Sequence, residues 1–180
     1  MGERLGRIDR FVVGACRLCG RELEWRKVCC CMASTRERNQ ARRAGKRGVV
    51  DFRILCSGDR YWRDARAVRN ALEGWDVGLG LRPDQIVIIE GEADGADTYC
   101  RRVGEMLGYA VEPYPAEWDK YHRAAGPIRN QQMIEEGEPD ICIAFHDDLV
   151  NSKGTKDMVT QFFKQVSDEI YLVESRFKSD

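Results

Sequence analysis

Gly91-Glu92-Ala93-Asp94-Gly95-Ala96-Asp97 joins an apolar run, Ile86-Val87-Ile88-Ile89, to a helical pattern. A glycine-bearing turn from strand to helix leaves main-chain N–H groups unpaired at the helix start, and the helix dipole adds positive potential there. Such a corner accepts a phosphate or another anion. Gly91 and Gly95 would let the backbone approach phosphate or ribose, and Asp97 would accept hydrogen bonds from ribose hydroxyls. The simpler alternative is a tight turn in which Asp94 caps the helix and Asp97 favours its first turn. Glu92, Asp94 and Asp97 place three carboxylates beside this anion corner. Either some point away, or Mg²⁺ offsets them, or the ligand puts ribose there and phosphate elsewhere.

Three further stretches carry matching chemistry. In Gly126-Pro127-Ile128-Arg129-Asn130, the Arg129 fork suits phosphate, and Asn130 both donates and accepts, as a base or sugar requires. Gly154 and Thr155 open another helical pattern and form a second anion corner, flanked by Lys153 and Lys156. Plain N-capping by Ser152 or Thr155 would use the same residues. Gly58 ends a first strand and admits a ligand, with Arg60 in reach of phosphate; Asp59 and Arg60 could equally form a surface ion pair. For proton transfer the candidates are Asp97 and His122, the latter in a long loop with Trp118 and Tyr121. Trp118 is expected to anchor that loop to the core.

These residues need a scaffold that gathers them. From Phe52 onward strands and helices alternate. Strands are expected at residues 53–57, 86–90, 109–113, 141–145 and 170–173. A helix is expected from about residue 62 to 75, followed by a loop marked by Gly78, Gly80 and Pro83. A second, carrying Ala96, Cys100, Val103 and Leu107, is closed by Gly108. Residues 114–126 read as a loop, and Pro127 fits the first position of a helix ending near Gly137. Met158, Val159, Phe162, Phe163 and Val166 give the last helix its apolar face. The alternation predicts an α/β fold, a Rossmann-like five-stranded parallel sheet flanked by helices. Ligands of such sheets sit beyond the carboxyl ends of the strands, where all these turns fall.

Composition divides the chain in two. Residues 1–50 carry 13 Lys/Arg against 5 Asp/Glu, while residues 51–180 carry 16 against 25. Domains are therefore expected at 1–50, a basic Cys-rich head with linker, and at 51–180, the Rossmannoid body. In the head, Cys16-x-x-Cys19 supplies two ligands for a structural Zn²⁺, and two of Cys29, Cys30 and Cys31 supply the rest, with Cys29 and Cys31 one option. Free thiols are the alternative. Cys56, Cys100 and Cys142 read as core. The basic run at 36–47 could hold nucleic-acid phosphates or serve as a solvated linker. No apolar run reaches the ~18 residues of a membrane span, and the charged start is unlike a secretory signal, so a cytoplasmic location is expected.

Four blocks in order carry a resemblance: Ser57-Gly58-Asp59-Arg60-Tyr61-Trp62, Gly91 to Asp97, Trp118 with Ala125-Gly126-Pro127-Ile128-Arg129-Asn130 and Met133, and Gly154-Thr155-Lys156-Asp157-Met158-Val159. Residues 53–175 resemble the YspA-like (cpYpsA-related) branch of the SLOG superfamily, Rossmann-like domains related to LONELY GUY and DprA proteins. The resemblance implies a bacterial or phage protein that binds a nucleotide or nucleotide-derived ligand, as a sensor or processor of nucleotide signals. It also implies a tendency to form homodimers. The chain departs from the pattern in three places. Glu92 follows Gly91 where a second glycine is usual, and His122 stands where glycine is common. Met158 occupies the place of the glutamate in the phosphoribohydrolase branch. Nucleotide binding is the leading expectation. The alternatives are a nucleotide hydrolase of the phosphoribohydrolase type, with Asp97, Glu92 or His122 substituting, and a nucleic-acid-binding adaptor acting through the head.

Overall fold

A computed structural model describes residues 51–166 and 169–176. The head at 1–50, with Cys16, Cys19, Cys29, Cys30 and Cys31 and the basic run 36–47, lies outside the described residues.

Five short strands, β1 (Phe52–Gly58), β2 (Ile86–Glu90), β3 (Ala110–Pro113), β4 (Ile141–Phe145) and β5 (Ile170–Val173), form one sheet. Its order is β3-β2-β1-β4-β5 and every pairing is parallel. β2 and β4 are buried along their whole length, which explains why, Glu90 apart, their sequences are apolar runs rather than alternating ones. Each fully buried Ile or Leu in these strands contributes roughly 1.5–3 kcal/mol of transfer free energy.

Helices cover both faces. α1 (Ala65–Leu72), α2 (Trp75–Leu79) and α3 (Ala96–Met106) lie on one side. There Val68, Leu72, Cys100 and Val103 pack on Ile54, Cys56, Ile86 and Ile88. α5 (Ala125–Glu135) and α6 (Gly154–Gln165) lie on the other, where Met133, Ile134, Met158 and Phe162 pack on Leu55, Ile89 and Cys142. A single turn, α4 (Trp118–Tyr121), leads into a 3₁₀ turn at His122–Ala124. The expected core thiols Cys56, Cys100 and Cys142 are all buried.

Three local expectations need correcting. The helix expected from about 62 to 75 is the shorter α1, which ends before Gly74 at φ +88, and the loop expected around Gly78, Gly80 and Pro83 begins instead with α2. The loop expected at 114–126 contains α4 and the 3₁₀ turn. Pro127 is the third residue of its helix, not the first, since α5 starts at Ala125. The position still suits proline, as N–H groups of a first turn have no helical acceptor.

The chain runs outward from β1 through β2 to β3, then returns to lay β4 against the other side of β1. Successive connections therefore cross the sheet in opposite directions on the two sides of the β1–β4 pair, and a crevice opens beyond the carboxyl ends of those strands. Among the described residues no helix is long and apolar enough to cross a membrane.

Candidate functional site

The floor of the crevice is two corners pressed together. Gly58 ends β1, and a Cβ on it would lie 2.5 Å from both the Ala96 Cβ and the Phe145 carbonyl oxygen. Only a bare backbone lets the start of α3 sit there. Gly95 holds φ +75, and its Cβ would fall 2.3 Å from the Asp59 carbonyl oxygen. The Ala96 N–H donates to that same oxygen at 3.0 Å. The corner after β1 and the corner after β2 are thus one packed unit.

Gly91 has a different neighbour. A Cβ there would lie 1.2 Å from Arg129 Nη1, so the guanidinium fills the space a side chain would take. Arg129 Nη1 donates to the Gly91 carbonyl, lies 3.7 Å from Asp97 Oδ2, and Arg129 Nε donates to Asn130 Oδ1 at 3.2 Å. Burial lowers the Arg129 pKa, Asp97 and Glu90 pull it back up, and the nearby Arg60 charge lowers it further.

Asp97 is buried at the start of α3. Its Oδ2 accepts the Gly91 N–H at 3.1 Å and the Ala93 N–H at 3.4 Å. Its Oδ1 has no hydrogen-bond partner among the described residues, and Asp97 lines the crevice. Burial pushes its carboxyl up to about 6; Arg129 opposes the rise and the Glu90 carboxylate adds to it. The crowd of carboxylates sorts itself by direction. Glu92 turns to Arg101 at 2.8 Å. Glu90, fully buried, accepts from Arg101 at 2.6 Å and from the Glu92 N–H at 2.7 Å. Asp94 is exposed and does not cap α3, whose N-cap is Gly95.

The opposite wall is the N-terminus of α6. Ser152 Oγ accepts the Thr155 N–H at 3.2 Å, so Ser152 does the capping. The Thr155 hydroxyl makes no hydrogen bond among the described residues and Thr155 lines the crevice. Nothing lies within 4 Å of a Cβ built on Gly154. Asn130, buried in α5, ties this wall to the arginine: its Nδ2 donates to Asp157 Oδ2 at 2.9 Å and to the Gly154 carbonyl at 3.4 Å. Its amide is therefore occupied with positioning. Lys153 lines the crevice, while Lys156 turns away, its Nζ donating to the Val150 carbonyl at 3.0 Å.

The enclosed space is about 490 Å³, within the usual range for small-molecule sites. Its cations are Arg60, Arg123, Arg129 and Lys153, against Asp59, Asp97 and Asp157. Gly58, Arg60, Asp97, Arg129, Asn130, Gly154 and Thr155 all line it. Gly91 and Gly95 stand behind that lining and shape it. His122 is exposed and lies away from the lining, at φ +46. Trp118 corrects an expectation: it is not a core anchor but 47% exposed, with the Arg60 guanidinium 5.4 Å from its ring centre.

Sequence reasoning passed over His146, which follows β4 and lines the crevice with Nδ1 accepting the Asp148 N–H at 2.9 Å. The rule that picked Gly58 and Gly91, the first residue past a strand's carboxyl end, would have found it. Arg123 was also missed, since nothing local distinguishes it from a surface polar residue, and Ser152 was weighed only as the cap that it is. Among the described residues no group of three or more His, Cys, Asp or Glu side chains is arranged to hold a metal ion.

Chemically, the crevice can take an anionic group at α6 and Arg129, hydroxyls at Asp97, and a flat ring at its mouth. Comparison with known proteins bears on the first two sequence blocks and on Trp118. The profile of the YspA, cpYpsA-related SLOG family matches residues 52–121. The gene 61 protein of Mycobacterium phage D29 is 34% identical over 109 residues, covering 58% of this chain and 82% of the phage protein. Among solved structures, DNA processing protein A (DprA) from Streptococcus pneumoniae aligns over 72% of this chain at 13% identity with a TM-score of 0.39. The chain spans 63% of that protein's length. On the match at residues 52–121 and the extent of the phage relative, this chain belongs to the YspA, cpYpsA-related SLOG family.

Proposed function

We propose that the body binds a nucleotide or nucleotide-derived molecule in the crevice beyond β1 and β4. One observation carries this: the N-terminus of α6, the Arg129 guanidinium and the Asp97 carboxylate converge on a single space of about 490 Å³. Phosphate oxygens sit at Gly154 and Thr155, where the Gly154 N–H, the Thr155 hydroxyl and the helix dipole meet them, with Lys153 alongside. Arg129 supplies a buried charge beside them. The Asp97 Oδ1 accepts from ribose hydroxyls. Calorimetric titration of nucleoside monophosphates and diphosphates into the full chain tests the proposal. Thr155→Val and Lys153→Ala should each weaken binding by roughly tenfold, the scale of one lost charge-assisted hydrogen bond. Failure of every nucleotide to bind at millimolar concentration would refute it.

A second reading, turnover of that nucleotide, is favoured by Asp97 itself. A cleft carboxyl raised to about 6 can both give and take a proton near neutral pH. Met158, in place of the hydrolase glutamate, is fully buried and has no part in such a step. Chromatography of nucleotides incubated with the protein, and with Asp97→Asn, separates binding from hydrolysis.

A further inference from the structure

Trp118 is the residue of the crevice that the phosphate and ribose contacts leave unexplained. Tryptophan normally hides most of its surface. Here Trp62 is 4% exposed and Trp75 packs against the core, but Trp118 is 47% exposed and lines the crevice. It is not loosely hung. It opens the four-residue α4, which ends at His122 with φ +46 and ψ −124, a conformation that L-residues avoid. Strain of this kind, of order 1–3 kcal/mol, persists where the surroundings fix a segment in one place. The ring edge also abuts the start of α5: a Cβ on Gly126 would lie 3.7 Å from Trp118 Cη2.

The indole face already carries a flat, π-rich group. The Arg60 guanidinium lies 5.4 Å from the ring centre, and Arg60 has no carboxylate partner among the described residues. Guanidinium and nucleobase are the two planar groups that proteins most readily stack on an indole. Tyr61, 82% exposed, lines the same mouth. The anion corner of α6 and the indole are thus set on one crevice, as the phosphate and base of one nucleotide are.

We infer that Trp118 is the stacking platform for the base of the bound nucleotide, and that the base takes the indole face from Arg60. The displaced guanidinium is then available to the phosphate. This rests on the proposed nucleotide binding and adds to it where the base goes.

The test compares AMP, GMP, CMP and UMP with ribose 5-phosphate, which has the phosphate and sugar but no base. Binding to the full chain is measured by calorimetry, and indole fluorescence is followed in parallel. The tightest monophosphate should bind roughly ten- to a hundredfold better than ribose 5-phosphate, the range expected of one base–aromatic stack. Trp118→Ala should abolish that advantage while binding ribose 5-phosphate at least as well as the wild type does, since Arg60 is then free of the indole, and Trp118→Phe should keep most of the advantage. Fluorescence should be quenched by the monophosphate in the wild type and no longer in Trp118→Phe. Equal binding of ribose 5-phosphate and all four monophosphates would overturn the inference while leaving the phosphate site intact. So would a Trp118→Ala protein that binds as the wild type does. No binding by any of the five compounds would overturn both the inference and the nucleotide proposal beneath it.

Discussion

Replacing Asp97 by asparagine isolates the electrostatics of the crevice floor. The carboxyl is held between the Gly91 and Ala93 amides, the Arg129 guanidinium and the Glu90 carboxylate. Burial dominates, and the proton is retained up to about 6 instead of the ordinary 3.8. The native state therefore binds a proton that the unfolded chain has already released. Stability from this group is fully present below about pH 4 and is lost as pH rises to about 6, after which it is flat. At about 1.4 kcal/mol for each tenfold step in the proton equilibrium, the loss is about 3 kcal/mol at most. Asparagine keeps an acceptor for the two amides and carries no charge at any pH. Urea unfolding of both proteins between about pH 4 and pH 7 should show them similar in acid. The variant should then become the more stable by up to about 3 kcal/mol at neutral pH. It should also lose affinity for any ligand that Asp97 holds, the usual exchange of stability for function. A stability difference that does not change with pH, or that changes in the other direction, would refute the reasoning.

Two glycines should respond oppositely to the same change. Gly95→Ala drives a methyl to within 2.4 Å of main-chain oxygens of Asp59 and Arg60 at φ +75, and should cost about 3 kcal/mol or more. Gly154→Ala meets nothing within 4 Å and should add about 0.5–1 kcal/mol, read from the same denaturant midpoints; equal effects would contradict the packing described. His122→Gly relieves the φ +46 backbone and should raise the melting temperature by a few degrees, about 1 kcal/mol, with no change if the turn is unstrained. Asp64 caps α1 through the Ala67 N–H at 2.9 Å and takes the Arg176 side chain at 2.9 Å. Burial alone would raise its pKa, but the Arg176 bonds more than offset that and hold it below 3.8. Its stabilisation is therefore present above about pH 4 and lost in acid, opposite to Asp97. Asp64→Ala should cost about 2–4 kcal/mol near neutral pH and less as acid is added, measured by thermal unfolding.

Strands were legible because buried parallel strands announce themselves as apolar runs, as residues 86–89 and Ile141–Phe145 do. Helix α3 was legible from the spacing of Ala96, Cys100 and Val103, all buried in one cluster. The break at Gly74 was not, because a glycine inside a helical pattern reads the same whether its φ is negative or +88. Placement of the crevice followed from topology alone. What each residue does inside it did not. Gly91 reads as a place for ligand, yet its space holds Arg129, a contact across 38 positions that no local pattern encodes. Trp118 looked like an anchor because most tryptophans are buried, and only the fold sets it beside Arg60.

Placing β1 at the centre of the order β3-β2-β1-β4-β5 has a consequence for how this site comes into being. Its walls derive from Gly58, Asp97, Arg129 and Thr155, a span of nearly a hundred positions brought together only when both halves of the sheet have closed on the first strand. Contacts this distant in the chain form late, since each must first overcome the entropy of a long loop. No fragment ending before α6 can present the pocket. Ligand affinity therefore reports on global folding, and any molecule that occupies the pocket acts as a clamp on the entire domain.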